Sequence, residues 1–280
     1  MNKALAIFEL MRLDKPIGIY LLLWPALLAL VISTNGDFEY ADLLIVISGS
    51  ILVRSAGCVI NDIWDKDLDG GVERTKTRPI PSKKLSISES WAVFAILGVL
   101  SLMLLSLTNT NTIYVSIFFG LMIVIYPLTK RFFIGPQIFL GLTFNPTIIV
   151  YTMTNELNNP TMIFLYFAIA AKTIAFDSFY GLCDIDDDKK LGINSTPLWW
   201  GSKTLLIIAI LQFTVISLLL IVGLKAGLPF AWHIGIILLS GFYFYQHRLA
   251  SQKNFLLAFK NNHWASLYLL MLSGFCFLII

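Results

Sequence analysis

The chain has 280 residues, 57% hydrophobic and 13% charged, with a mean hydropathy of +0.78. Soluble domains carry nearer 25% charge, so a soluble fold is excluded and the bilayer is the solvent for most of the surface. The net charge of +3 is small and records membrane topology; no nucleic-acid partner is expected.

The opening stretch MNKALAIFELMRLDKPIG is amphipathic, and no cleavable signal is expected before the first apolar segment. Nine apolar segments follow, at about 16–33, 43–60, 89–107, 112–129, 134–152, 160–182, 203–222, 230–247 and 264–280. Each is near or above the roughly 18 residues that cross hydrocarbon. They are continuous rather than alternating, which predicts helices and not barrel strands. A helix also satisfies its own backbone polar groups, which lipid does not. Pro16, Pro25, Pro127, Pro136 and Pro146 fall near segment ends or mark kinks. The expected fold is therefore an all-α polytopic membrane protein with nine transmembrane helices.

Lys3, Arg12 and Lys15 precede the first segment, and the loops after segments 2, 4, 6 and 8 carry nearly all other basic residues. The alternate loops hold only Lys225. The positive-inside rule then puts the N-terminus and the even-numbered loops in the cytoplasm, and the C-terminus on the far side. Cys58, Cys183 and Cys276 fall in or beside segments, so a disulfide framework is not expected.

After segment 2 the chain turns abruptly acidic, NDIWDKDLDGGVERTKTRP at 61–79. A second acidic run, DSFYGLCDIDDDKK, begins at Asp177 after segment 6. An offset of 123 residues places Asp184 on Asn61, Asp188 on Asp65 and Asp177 on Arg54. This suggests one domain of two related halves, about 10–130 and 131–250, with a last helix at 264–280. At about 100° per residue, positions 54, 61 and 65 share one helix face, as do 177, 184 and 188. Each set forms a polar stripe from inside the membrane to the cytoplasmic mouth, and such stripes face the bundle interior.

Either acidic run alone reads as a solvated connector. Two runs with matching spacing, after equivalent segments, point to a shared site. Facing carboxylates repel unless a cation lies between them. Oxygen ligands suit Mg²⁺, which takes a few carboxylates together with phosphate oxygens. The flanking basic residues suit the remaining phosphate charge. A diphosphate that opens into a membrane is a polyprenyl diphosphate. A secondary transporter also shows repeats and buried charge, but favours single ionisable residues at the midplane over two acidic mouths on one side.

At these residues the chain resembles the UbiA superfamily of intramembrane prenyltransferases, whose motifs are N-D-x-x-D-x-x-x-D and D-x-x-x-D. They stand here as Asn61, Asp62, Asp65 and Asp69, and as Asp184 and Asp188. MRLDKPIGIYLLLWPALLAL at 11–30, YPLTKRF at 126–132, LGINSTPLWWG at 191–201 and LAFKNNHW are similar to its 4-hydroxybenzoate polyprenyltransferase branch. The segment LGLTFNPT, with Asn145 and Pro146, departs from that pattern.

The resemblance implies a bundle around a central cavity in the bacterial inner membrane. It implies transfer of a polyprenyl group to C3 of 4-hydroxybenzoate in ubiquinone biosynthesis; dihydroxynaphthoate, homogentisate and haem are the alternative acceptors within the superfamily. Mg²⁺ is expected on Asp62, Asp65, Asp69, Asp184 and Asp188, with Asn61 as a neutral ligand or orienting donor. Arg74, Arg78, Lys130 and Arg131 are candidate phosphate contacts. Arg54 is the candidate for the substrate carboxylate, or else an ion-pair partner of Asp177. Asp177 and Asp184 are both open as acceptors of the ring proton. Lys172 is expected to pair with Asp177 or to touch the diphosphate.

Overall fold

Hydrophobic runs longer than a membrane is thick become helices almost throughout. The computed structural model describes residues 3–71 and 75–279, and among them there are thirteen α-helices and no strand. In chain order these are α1 (Lys3–Leu10), α2 (Ile17–Ser33), α3 (Tyr40–Trp64), α4 (Ile87–Leu105), α5 (Thr110–Thr129), α6 (Pro136–Thr143) and α7 (Thr147–Met153). Then come α8 (Thr161–Gly181), α9 (Ile185–Leu191), α10 (Thr196–Trp200), α11 (Thr204–Lys225), α12 (Phe230–Ser251) and α13 (Phe255–Leu278). Five stretches among them, on α3, α4, α5, α8 and α10–α11, are long and apolar enough to cross a membrane, and α2 is a shorter apolar helix.

The expectation of nine uninterrupted helices does not hold. Segment 134–152 is two short helices, α6 and α7, broken at Phe144–Pro146. Proline disfavours a helical residue before it, and Asn145 makes the break tolerable. Its Nδ2 donates to the Tyr166 carbonyl at 2.8 Å, and its Oδ1 accepts from the Thr147 amide at 3.2 Å. Backbone groups freed inside the bundle thereby find partners, as an apolar surround requires. Elsewhere the chain adds short interfacial helices, α1, α9 and α10, to the long ones.

Helix association in lipid rests on close packing and on polar pins. α6 lies against α8 so closely that a Cβ on Gly141 would stand 2.7 Å from the Ala170 carbonyl oxygen. Three amides pin α11, α12 and α13: Gln212 Nε2 donates to Gln246 Oε1 at 2.8 Å, and Gln246 Nε2 donates to Asn261 Oδ1 at 3.0 Å. α8 is buried along most of its length and contributes Leu165, Ala168 and Phe179 to the core. α4 is peripheral; Val99, Leu102 and Met103 face outward, as an apolar solvent permits.

Candidate active site

The first acidic set is built at the end of α3. Asn61 and Asp62 occupy its last turn, and Asp65 caps it with its amide bonded to the Asn61 carbonyl at 2.9 Å. The chain then turns tightly, the Asp69 amide donating back to the Asp65 carbonyl at 2.8 Å. Three carboxylates therefore sit within one compact corner. All are buried, none more than 5% exposed. Burial raises the Asp65 carboxyl above its ordinary range, and the Lys130 ammonium beside it works in the opposite direction.

Cations surround this corner. Arg12 reaches both oxygens of Asp62 through Nη2, at 2.8 and 2.7 Å. Arg78 Nη1 bridges Asp62 at 3.1 Å and Asp69 at 2.8 Å. Lys130 donates to Asp65 Oδ2, which also accepts from Asn61 Nδ2 at 3.0 Å. Arg12 was read from sequence only as a topology charge. It lies in the turn between α1 and α2 with φ +57, and the signal that could have found it is its place in MRLDKPIG, directly before an apolar run.

The second acidic set follows α8. Asp184 stands at the N-terminus of α9, and Asp188 lies one turn on. Gly192 closes α9 with φ +66, a left-handed residue whose amide bonds the Asp188 carbonyl. Asp184 and Asp188 are half-exposed.

Both sets open into one chamber of about 990 Å³. Asn61, Asp62, Asp65, Asp69, Asp177, Asp184, Asp188, Arg12, Arg54, Arg78 and Lys130 all line it. Its wall also includes Tyr20, Tyr126, Phe144, Phe176, Tyr180, Phe259 and His263, none of which spacing alone distinguishes from the other aromatic and histidine residues of the chain. The chamber wall thus combines charged and aromatic side chains.

Arg54 sits ten residues inside α3 from Trp64. Gly18 makes room for it, since a Cβ there would collide with the guanidinium. The guanidinium lies 5.7 Å from the centre of the Phe144 ring, and Nε is buried with no hydrogen-bond partner. No salt bridge joins it to Asp177 among the described residues, so the ion-pair reading of Arg54 is not the observed one.

Two other expectations are corrected. Lys172 does not line the chamber or pair with Asp177; it points to α13, where its Nζ donates to Ser266 Oγ and approaches the Asn262 carbonyl at 3.5 Å. The helix twist that puts Asp177 on the chamber side turns Lys172 away. Arg131 also leaves the chamber lining, because its guanidinium bonds the Trp64 carbonyl and closes the end of α3. Arg78 and Lys130, candidate phosphate contacts, stand against aspartates in the chamber wall. Arg74 lies outside the described residues.

An all-oxygen donor set suits a hard cation. Asp65 Oδ1 is buried without a hydrogen-bond partner, an acceptor still open to a cation. Among the described residues no three acidic, histidine or cysteine side chains cage a metal ion by themselves. A metal here would take its remaining ligands from substrate or water, which is the habit of Mg²⁺.

Residues 22–277 match the UbiA prenyltransferase family. The chain is 39% identical over 266 residues to 4-hydroxybenzoate octaprenyltransferase of Stutzerimonas stutzeri, covering 94% of this chain and 90% of that one. It is 38% identical over 275 residues to the enzyme of the same name from Vibrio campbellii, covering 96% of each. Among solved structures it is similar to a UbiA homolog from Aeropyrum pernix K1, with TM-score 0.79, 22% identity and coverage of 90% and 94%. It is also similar to a UbiA homolog from Archaeoglobus fulgidus bound to GPP and Mg²⁺, with TM-score 0.75, 16% identity and coverage of 98% and 100%.

Proposed function

Because the chain belongs to the UbiA prenyltransferase family, we propose that it transfers a polyprenyl group from polyprenyl diphosphate to C3 of 4-hydroxybenzoate, in ubiquinone biosynthesis. It does so as an integral protein of the bacterial inner membrane, with its N-terminus and acidic loops cytoplasmic and its C-terminus opposite. The observation that carries this reading is the shared chamber, lined by two carboxylate sets, by cations that include Arg12, Arg78 and Lys130, and by aromatic rings.

Asp62, Asp65, Asp69, Asp184 and Asp188, with Asn61, are the residues that would hold Mg²⁺. When bound, the metal neutralises the diphosphate and stabilises charge on the leaving oxygen. Arg12, Arg78 and Lys130 already stand at the same corner. They exchange carboxylate partners for phosphate oxygens, which develop charge as the C1–O bond breaks. Arg74, outside the described residues, stays a candidate phosphate contact.

Arg54 binds the benzoate carboxylate. Its free Nε and its planar fork are suited to that anion, and Gly18 keeps the approach open. The ring then presents the carbon ortho to its hydroxyl to the allylic cation. Tyr126, Phe176, Tyr180 and Phe259 line the space where that cation forms, and their π faces shield it. The membrane surround keeps water from quenching it. Asp177 and Asp184 border the chamber as acceptors for the ring proton.

The reading is tested with the purified chain, geranyl diphosphate and 4-hydroxybenzoate. The expected result is a 3-geranyl product that disappears with EDTA and returns with Mg²⁺. Absence of product under every metal condition would falsify the acceptor assignment.

A further inference from the structure

The chamber wall between α2 and α13 holds a histidine whose proton position is set by a tryptophan. Trp24 Nε1–H donates to His263 Nδ1 at 2.9 Å. Indole is a donor only, so Nδ1 carries the lone pair. In the neutral ring the proton must then be on Nε2. Tyr20 braces the same imidazole, with ring centres 4.9 Å apart, and itself stacks on Trp24 at 5.5 Å. Tyr20 and His263 line the chamber; Trp24 stands behind them. His263 Nε2 has no hydrogen-bond partner among the described residues.

Depth decides what this donor faces. Lys172, nine residues before the end of α8 at Gly181, lies about 13 Å inside that end at 1.5 Å per residue. It bonds α13 at Asn262 and Ser266, so His263 sits at that level. The acidic sets gather at the ends of α3 and α8, Asn61 and Asp62 in the last turn of α3 and Asp65, Asp69, Asp184 and Asp188 just past the two helices, at the mouth. A diphosphate held there is too shallow to meet His263. Arg54, ten residues inside the end of α3, stands beside Gly18 in the first turn of α2. Tyr20 and Trp24 follow Gly18 by two and six residues, about 3 and 9 Å further along the axis. Arg54 and His263 both line the chamber, one beside Gly18 and the other beside Tyr20 and Trp24, and a para-substituted benzoate has an oxygen at each end to offer to two such polar points.

We infer that His263, held as its Nε2–H tautomer by Trp24, is the second anchor of the aromatic acceptor and donates a hydrogen bond to its oxygen opposite Arg54. This rests on the acceptor assignment above. The same hydrogen bond keeps the ring from taking a second proton, because Nδ1 is occupied. A neutral donor holds the substrate without adding positive charge beside the forming allylic cation. The other titratable groups facing the ring are Tyr20 from α2 and Lys172 from α8, with Lys260 one turn away on α13 itself.

The test uses the full chain with geranyl diphosphate and 4-hydroxybenzoate. Wild-type turnover reads the acceptor assignment by itself; the variants read His263. In His263→Phe, KM for 4-hydroxybenzoate rises about tenfold, the size of one lost hydrogen bond, while KM for geranyl diphosphate stays nearly constant. His263→Gln, which restores a donor at a similar reach, recovers most of the loss. Trp24→Phe frees Nδ1 to take a second proton, and kcat gains an acid limb that the wild type lacks. An equal rise in both KM values, no rise in either, or a Gln variant no better than Phe overturns the inference.

Discussion

The two acidic regions share a spacing and differ in how they are embedded. Asp62, Asp65 and Asp69 are buried at the end of a 25-residue helix and held by Arg12, Arg78 and Lys130. Asp184 and Asp188 ride on a seven-residue helix and are half-exposed. Buried carboxylates persist only when paired, so the first region is a finished electrostatic unit that must trade partners to bind anything. The second meets water and can follow a ligand with less rearrangement. One motif read twice along the chain therefore gives a rigid half and an adaptable half of the same chamber.

The comparison is broken most severely by removing a carboxylate from each half. Asp65→Ala and Asp188→Ala should each cut product formation by about 10³-fold or more, with helical content and membrane insertion unchanged by circular dichroism and fractionation. Near-normal turnover in either variant would remove that half from the site. Only Asp65→Ala should also lower thermal stability, because it leaves Lys130 beside a buried, emptied position. Equal melting temperatures for the two variants would erase the proposed rigid and adaptable halves.

A smaller effect is expected from Arg78→Gln. It strips a cation from two buried carboxylates at once, and kcat/KM for geranyl diphosphate should fall by about 10²-fold. Steady-state rates over a range of diphosphate concentrations check this, and a fall confined to the 4-hydroxybenzoate KM would contradict it. The smallest effect sharpens the boundary of the second region. Asp186 is exposed and absent from the chamber wall, so Asp186→Asn should leave turnover within about twofold. A large loss there would mean that the acidic run acts as a whole and not through Asp184 and Asp188.

Much of this architecture was legible from the chain alone. Apolar runs announced the helices because hydrophobicity and helix length are local properties. The stripe at 54, 61 and 65 follows from helical periodicity along α3 and its cap, whereas 177 lies on α8 and 184 and 188 belong to α9 and its N-cap, so there the continuous stripe fails; all six residues still reach one chamber. The break at Phe144–Pro146 was half visible: Pro146 signals a boundary, but its toleration depends on Tyr166 of a different helix. Lys172 was misread because five residues turn a helix by about 140°, so periodicity already parts it from Asp177; that it meets Ser266 of α13 instead is decided by packing.

What the sequence by itself determined is a membrane-embedded helical protein with two carboxylate sets at one side, since composition and periodicity act over a few residues at a time. Tertiary structure alone decided which cations meet which acids, and that a tryptophan near the start of the chain sets the proton of a histidine near its end. Arg12 and Asp62 are 50 residues apart, Lys130 and Asp65 are 65, and Trp24 and His263 are 239. Contacts of that range depend on how helices pack in three dimensions, and no local pattern encodes them.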